Sequence, residues 1–205
     1  MQRLASWRIV QAETVTPRES MRQDVSDEIL MQRVAQGDHL AFRLLVERHA
    51  ARAHAVARRL LFGAPEADDI VQDVYTKLWV HAGRWDGQKA RFATWFYRML
   101  VNSCIDYRRK KKPQAGLDMH EMEDGRESAE QALAASQQSD QVRRAMEALP
   151  LRQRIAIVLC YYEGLTNQAA AEAMHIHIKA LEGLLARGRA ALKSSLQSLK
   201  RKDAL

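Results

Sequence analysis

The sequence is short of residues that interrupt helices. Its 205 residues include nine glycines and four prolines. Ala, Leu, Arg, Glu and Gln are abundant instead, which favours an all-α protein. Cysteine is nearly absent: Cys104 and Cys160 are the only two, far apart and each inside an apolar helical pattern. No disulfide framework or zinc spacing follows, so both are expected as buried small hydrophobes in a reducing compartment. No apolar run approaches the roughly 20 residues needed to span a bilayer. The first residues lack the apolar segment of a signal peptide, so a cytoplasmic location is the expectation, with no membrane insertion. Length allows one large domain or two small ones.

Positive charge is what the chain has in excess. Charged residues make up 28% and the net charge is +7, which calls for a polyanionic partner. Charge alone does not separate nucleic acid from an anionic membrane surface. Position narrows the choice. Six of the thirteen Phe, Trp and Tyr residues fall between Trp85 and Tyr107, interleaved with cations. From Arg91 to Lys112 a helical period gives two stripes. Phe92, Phe96, Met99, Ser103 and Tyr107 suit a core. Arg91, Trp95, Arg98, Asn102, Asp106 and Arg109 make a face of cations, a ring and an amide. Those types hold phosphates, stack bases and read base edges. The alternative is an amphipathic helix with a solvated basic face.

Residues 1–23 lack a sustained period and read as a poorly ordered tail; Met21 is a candidate natural start. Ser26 caps a first helix that Gly37 ends. Asp38 caps a second, expected to run to about Phe62, with Gly63 ending it. Pro65 opens a third at its first position. There Ala67, Ile70, Val71, Val74 and Leu78 face inward, and Asp69, Gln72, Asp73 and Thr76 face outward. Asp68, Asp69 and Asp73 on one helix raise the thought of a metal or an acid–base pair. No His, Cys or Glu cluster supports it, so a solvated or partner-facing acidic surface is expected, with no metal, cofactor or catalytic residue. Trp79 to Lys89 reads as a glycine-broken loop. His49 and His54 read as partly buried or surface residues.

Pro113 to Asp140 holds seven acids against one base and reads as a linker. It serves solubility or imitates nucleic acid on the basic face. Beyond it, Val142, Ala145, Met146 and Leu149 form an apolar stripe stopped by Pro150. Ile155, Val158, Leu159 and Tyr162 form another, stopped by Gly164. Thr166 caps a short helix to Ala173. A turn at 174–176 leads to a long helix from about His177, with Leu181, Leu184, Leu185, Gly188 and Leu192 buried. Short helix, tight turn and long basic helix match the helix-turn-helix pattern; an ordinary helical hairpin is the alternative. Residues 141–202 carry eleven Lys and Arg against four Asp and Glu.

In order, EADDIVQDVYTKLW, FATWFYRMLVNSCIDYRRK, an acidic linker, ALPLRQRIAIVLCYYEGLTNQAAAEAM and KALEGLLARGRAALK resemble the extracytoplasmic function group of bacterial sigma factors. The resemblance covers nearly everything from Asp27 to Leu199. It implies a core-polymerase and minus-ten domain at 24–112, a linker at 113–139 and a minus-thirty-five domain at 140–202. It implies that Asp69, Gln72, Asp73 and Thr76 dock on the coiled coil of the polymerase beta-prime subunit, with the beta subunit also a partner. Trp95, Tyr97, Arg98, Asn102, Arg108 and Arg109 would open and read the minus-ten element. The loop with Lys89 and Arg91 would hold a flipped base, whose unstacking costs a few kcal/mol unless a pocket receives it. Thr166, His177, Lys179, Ala180, Glu182, Gly183 and Arg187 would serve the minus-thirty-five element, partly through DNA shape. An anti-sigma factor is a further expected partner. His175 stands where the family usually has glycine; histidine tolerates a left-handed backbone better than most residues, so the turn is expected to survive. An autonomous helix-turn-helix regulator and a magnesium-dependent nuclease are the competing functions.

Overall fold

Helix-favouring composition and sparse glycine produce helices throughout the described residues. A computed structural model of the chain describes residues 25–62, 64–111 and 141–202, with side chains through residue 198. The expected tail at 1–23, Gly63 and the linker at 113–139 lie outside the described residues. The elements are α1 (Asp27–Ala35), α2 (His39–Leu61), α3 (Ala67–His81), a 3-10 turn (Ala82–Arg84) and α4 (Phe92–Lys111). After the linker come α5 (residues 141–147), α6 (Leu151–Ile157), a π-helical stretch (Val158–Tyr162), α7 (Asn167–Ala173) and α8 (Ile178–Lys202).

The first four helices pack around one core because each brings an apolar stripe at 3.6-residue spacing. Leu30, Leu45, Leu60, Val74, Leu78, Phe92 and Leu100 are fully buried, each contributing about 1.5–3 kcal/mol. Ser26 accepts from the Ile29 amide at 3.3 Å, and Asp38 from Leu40 and Ala41 at 2.8 and 3.0 Å. Those are the caps expected from sequence. Gly37 stands at φ +87° and the Asp38 amide reaches back to the Arg33 carbonyl, a Schellman closure that wants a left-handed residue. Cys104 is buried, and burial pushes its thiol up to about 12.

Several boundaries differ from the sequence reading. α2 stops at Leu61, and Phe62 itself takes the left-handed cap at φ 58°. The cost to a bulky residue is met by its ring contacts, described below. α3 begins at Ala67, two residues beyond Pro65, because the Ala67 amide bonds to the Ala64 carbonyl in a preceding turn. Trp79 to His81 belong to α3 rather than to a loop. Tyr162, placed on a buried stripe, is 45% exposed. The π-helical stretch closes with an amide five residues on, Glu163 to Val158, and that wider turn rotates Tyr162 out of the stripe.

The two halves share one core cluster. α6 packs on α8, α7 on α4, and α6 on α2. Arg154, 1% exposed, joins them. Its guanidinium donates to the carbonyls of Met146 (2.9 Å), Glu147 (3.1 Å) and Leu149 (2.8 Å) in the C-terminal half. It also donates to Leu60 at 3.0 Å in the N-terminal half. The planar cation lies 3.6 Å from the centre of the Phe62 ring, with Arg108 at 5.6 Å from the same ring. Burial lowers the Arg154 pKa to about 10, with Arg108 adding to the effect, so it stays charged at neutral pH.

Arg154→Met removes the donor from three buried carbonyls and one part-buried one, each buried one costing on the order of 1–3 kcal/mol when unsatisfied. Urea titration of that variant should show a loss of about 3 kcal/mol or more, and Arg154→Lys should recover a minor part, since an ammonium lacks the fork. A loss under about 1 kcal/mol contradicts the anchor.

At the other end of the N-terminal bundle Asp27 receives Arg48 Nη1 at 2.9 Å and lies 2.7 Å from His49 Nε2. Burial raises its pKa, but the hydrogen bonds from His49 and Arg48 outweigh it and hold the carboxyl below the ordinary range. A depressed folded pKa stabilises above the unfolded value and is lost as pH falls through the folded one. Asp27→Asn should therefore cost about 1–2 kcal/mol at neutral pH and progressively less in acid titration below pH 3.8. An equal loss at all pH values contradicts the assignment.

Candidate nucleic-acid interface

α3 separates core from surface by position. Ile70, Val71, Val74, Tyr75 and Leu78 are buried, while Asp69, Gln72, Asp73 and Thr76 are exposed at i, i+3, i+4 and i+7. The Thr76 hydroxyl donates to the Gln72 carbonyl at 3.1 Å. Asp68, the third acid of the sequence cluster, is used internally: it lies 2.9 Å from His54 Nδ1 and accepts from Arg58 at 3.3 Å. Hydrogen bonds from His54 and then Arg58 hold its carboxyl below the ordinary range. Among the described residues no three His, Cys, Asp or Glu side chains could share a metal ion. The helix therefore presents one short acidic face.

α4 stands on this platform. Its first amide, Phe92, lies 3.4 Å from Glu28 Oε1 of α1, a carboxylate at the positive end of the helix. Lys77 donates to Ser103 at 3.0 Å and ties α3 to α4. The face so oriented exposes Arg91, Arg98, Asn102 and Arg109 and leaves Trp95 and Arg108 half-buried. Arg109 pairs with Asp106 at 3.2 Å, one turn away on the same surface. Ahead of α4, Asp86 accepts from the Gln88 amide at 2.9 Å and pairs with Lys89 at 3.1 Å. Gly87 presses on Trp85 so closely that an added Cβ would stand 3.0 Å from the indole ring. The loop is thus folded over that indole, beside a cleft of about 530 Å³ lined by Glu28, Gln32, Trp85 and Gln88.

Tyr97 departs from the expectation of an exposed reader. It is 5% exposed and its hydroxyl donates to Glu163 at 2.6 Å, across the two halves. Burial, then the Glu163 carboxylate, raises its pKa. Only the resemblance assigns it to the exposed face; the sequence period puts it between the two stripes, and the C-terminal half covers it.

In that half Thr166 accepts from the Ala169 amide at 3.2 Å and starts α7. His175 takes φ 53°, and the Ile176 amide bonds to Ala171 at 3.0 Å. The turn therefore forms with histidine in glycine's place. His177, Lys179, Ala180, Glu182 and Arg187 are exposed and Gly183 is half-buried. The Arg187 guanidinium lies over Gly183, 3.3 Å from where a Cβ would stand. The acidic face of α3, the α4 face and the N-terminal end of α8 are thus three surfaces of different composition, the last two adjoining where Arg98 lies 3.3 Å from His175. Sequence reasoning missed Arg154, Phe62 and Glu163. A signal existed for Arg154: a cation on the buried register of Ile155, Val158 and Leu159.

Comparison with known proteins fits this geometry. Residues 45–114 match the family description Sigma-70 region 2, and residues 139–192 match Sigma-70, region 4. The chain is 36% identical over 180 residues to the RNA polymerase sigma factor NccH of Alcaligenes xylosoxydans xylosoxydans, covering 84% of this chain and 95% of NccH. It is 29% identical over 195 residues to the ECF RNA polymerase sigma-E factor of Escherichia coli, covering 89% of this chain and 100% of that one. CnrH, solved in complex with the cytosolic domain of CnrY, superposes with a TM-score of 0.65 at 27% identity, over 84% of this chain and 97% of CnrH. RpoE of Bartonella quintana, solved with the anti-sigma factor NepR, shares the fold with a TM-score of 0.62 at 20% identity, over 76% and 96%. Two sigma-70 regions in tandem, on a helical platform that sorts acidic from basic surface, place this chain in the extracytoplasmic function family of RNA polymerase sigma factors.

Proposed function

We propose that this sigma factor divides its work among those three surfaces and performs no catalysis of its own. The exposed quartet Asp69, Gln72, Asp73 and Thr76 docks on the coiled coil of the core polymerase beta-prime subunit. An acidic face in a chain of net charge +7 would repel DNA, and this single observation carries the assignment to a protein partner. Arg91, Trp95, Arg98, Asn102, Arg108 and Arg109, with Tyr97 once uncovered, engage the minus-ten element. Lys89 and the loop over Trp85 hold a base drawn from the duplex; stacking on a ring repays part of the unstacking cost.

In the C-terminal half, Lys179, Glu182 and Arg187 meet the minus-thirty-five element, with Thr166 and His177 at the starts of the two helices. Ala180 and Gly183 let the backbone approach the groove but offer few atoms to read bases, so DNA shape supplies part of the specificity there. The working boundaries are 24–112 and 140–202, with 113–139 as linker and the beta subunit as a second polymerase contact. CnrH and RpoE were each solved with a protein partner, NepR being an anti-sigma factor. We carry that over as control by an anti-sigma factor of a cytoplasmic, stress-responsive regulator. No helix among the described residues is long and apolar enough to cross a membrane.

Run-off transcription with purified core polymerase tests this directly. The chain should start transcription at a defined promoter where core alone does not. Asp69→Ala with Asp73→Ala should cut core pull-down and run-off at least about tenfold, a loss of roughly 1.4 kcal/mol, with helical content unchanged. Run-off at the core-only level with the wild-type chain overturns the function, and an unaffected double variant overturns the docking face.

A further inference from the structure

An apolar patch lies at one end of the groove between α2 and α3. The His39 ring stacks on Trp79 at 4.4 Å between centres, and Phe42 meets the same indole edge-on at 5.2 Å. Next to this stack in sequence, Leu40 is 49% exposed and Val80 65% exposed. Val80 stands at i+11 from Asp69, so it extends the stripe of Asp69, Gln72, Asp73 and Thr76 by one turn. Asp69 and Asp73 have no ion-pair partner among the described residues, whereas Asp27, Asp38, Asp68, Asp86 and Asp106 each have one. The surface is acidic at one end and apolar at the other. A segment that fits it carries cations beside large apolar side chains.

This chain holds such a segment ahead of the described residues. Residues 3–10 read RLASWRIV, with Arg3 and Arg8 among Leu4, Trp7, Ile9 and Val10. Residues 1–12 contain no Asp or Glu, while residues 13–24 hold Glu13, Glu19 and Asp24 with Pro17. Composition thus divides them into a cationic, apolar head and a more polar spacer. The head lies outside both family matches, which begin at residues 45 and 139. Extended, the spacer spans about 40 Å. α1 packs on α2 and α2 on α3, so the chain has one helix of about 10 Å to cross. α3, 15 residues long, is itself only about 22 Å. The cations of the α4 face repel Arg3 and Arg8, and the unpaired acids of α3 attract them.

We propose that residues 3–10 occupy the exposed α3 stripe in the free chain, the arginines at Asp69 and Asp73 and the apolar side chains on Trp79, Val80 and Leu40. The segment and core polymerase then compete for one surface. A tethered segment has an effective concentration on the order of 1 mM. A contact with a dissociation constant of about 0.1 mM then weakens polymerase binding about tenfold. The inference rests on the reading of the α3 face as the polymerase contact, and it gives the apolar end of that face an occupant.

The test uses the full chain. With photoreactive benzoylphenylalanine in place of Trp7, irradiation of the free protein should join residue 7 to residues 69–80 or to Leu40 of the same molecule, as located by mass spectrometry. Asp69→Ala with Asp73→Ala should lower that yield. Crosslinks confined to other surfaces, crosslinks formed only between two molecules, or none at all overturn the occupant. Arg3→Glu with Arg8→Glu changes no residue of the core, and circular dichroism should show its helical content unchanged. A fluorescence-anisotropy titration should show that variant binding core polymerase about tenfold more tightly than the wild type. Equal affinity overturns the competition. Crosslinking involves no polymerase, and the docking face is read by pull-down of the Asp69 and Asp73 double variant, so the two failures are distinguishable.

Discussion

A single buried guanidinium sets the relation between the two halves. Arg154 satisfies three carbonyls at the turn between α5 and α6 and then reaches one further carbonyl, Leu60, at the end of α2. A charge so buried is tolerated because its donors meet main-chain oxygens and its flat face lies on Phe62. The same ring gives Phe62 a reason to accept a left-handed backbone. Remove the cation and the end of α2, the turn at Pro150 and the seat of α6 lose their common partner together. The pairs between α4 and the helix-turn-helix half are peripheral to this anchor and weaker. The anchor therefore fixes how the end of α2 meets the start of the C-terminal half.

α4 reconciles two demands on one helix. Its inner positions, Phe92, Phe96, Leu100 and Cys104, are buried and fill the bundle. Its outer positions carry cations and an amide. α3 makes the same division with opposite charge, so an acidic and a basic surface are built on neighbouring helices of one platform. Lys77 to Ser103 and Lys111 to Glu66 bridge those helices at 3.0 and 3.2 Å, which fixes the two faces relative to each other.

Much of this was legible in the sequence, because periodicity and caps are local. Ser26, Asp38 and Thr166 cap helices as their positions require. The exposed quartet on α3 follows from the apolar residues between them. His175 keeps the turn because it can take a left-handed backbone. The misreadings share a cause: each residue answers to something distant. Phe62 takes the left-handed position assigned to Gly63 because Arg154, 92 residues on, stacks on it. Tyr162 leaves its stripe because the preceding turn is π-helical and Arg59 meets its ring. Tyr97 is covered by Glu163, 66 positions away. Pattern along the chain reports which face of a helix is apolar. It does not report which exposed face another domain will cover.

The central claim is that the exposed face of α3 meets core polymerase while the rest of that helix stays in the bundle core. Hydrogen–deuterium exchange of the chain, free and bound to core polymerase, tests it directly. The account predicts slower exchange across residues 69–76 of α3 on binding. Unchanged exchange there, in a complex shown to form, would contradict it.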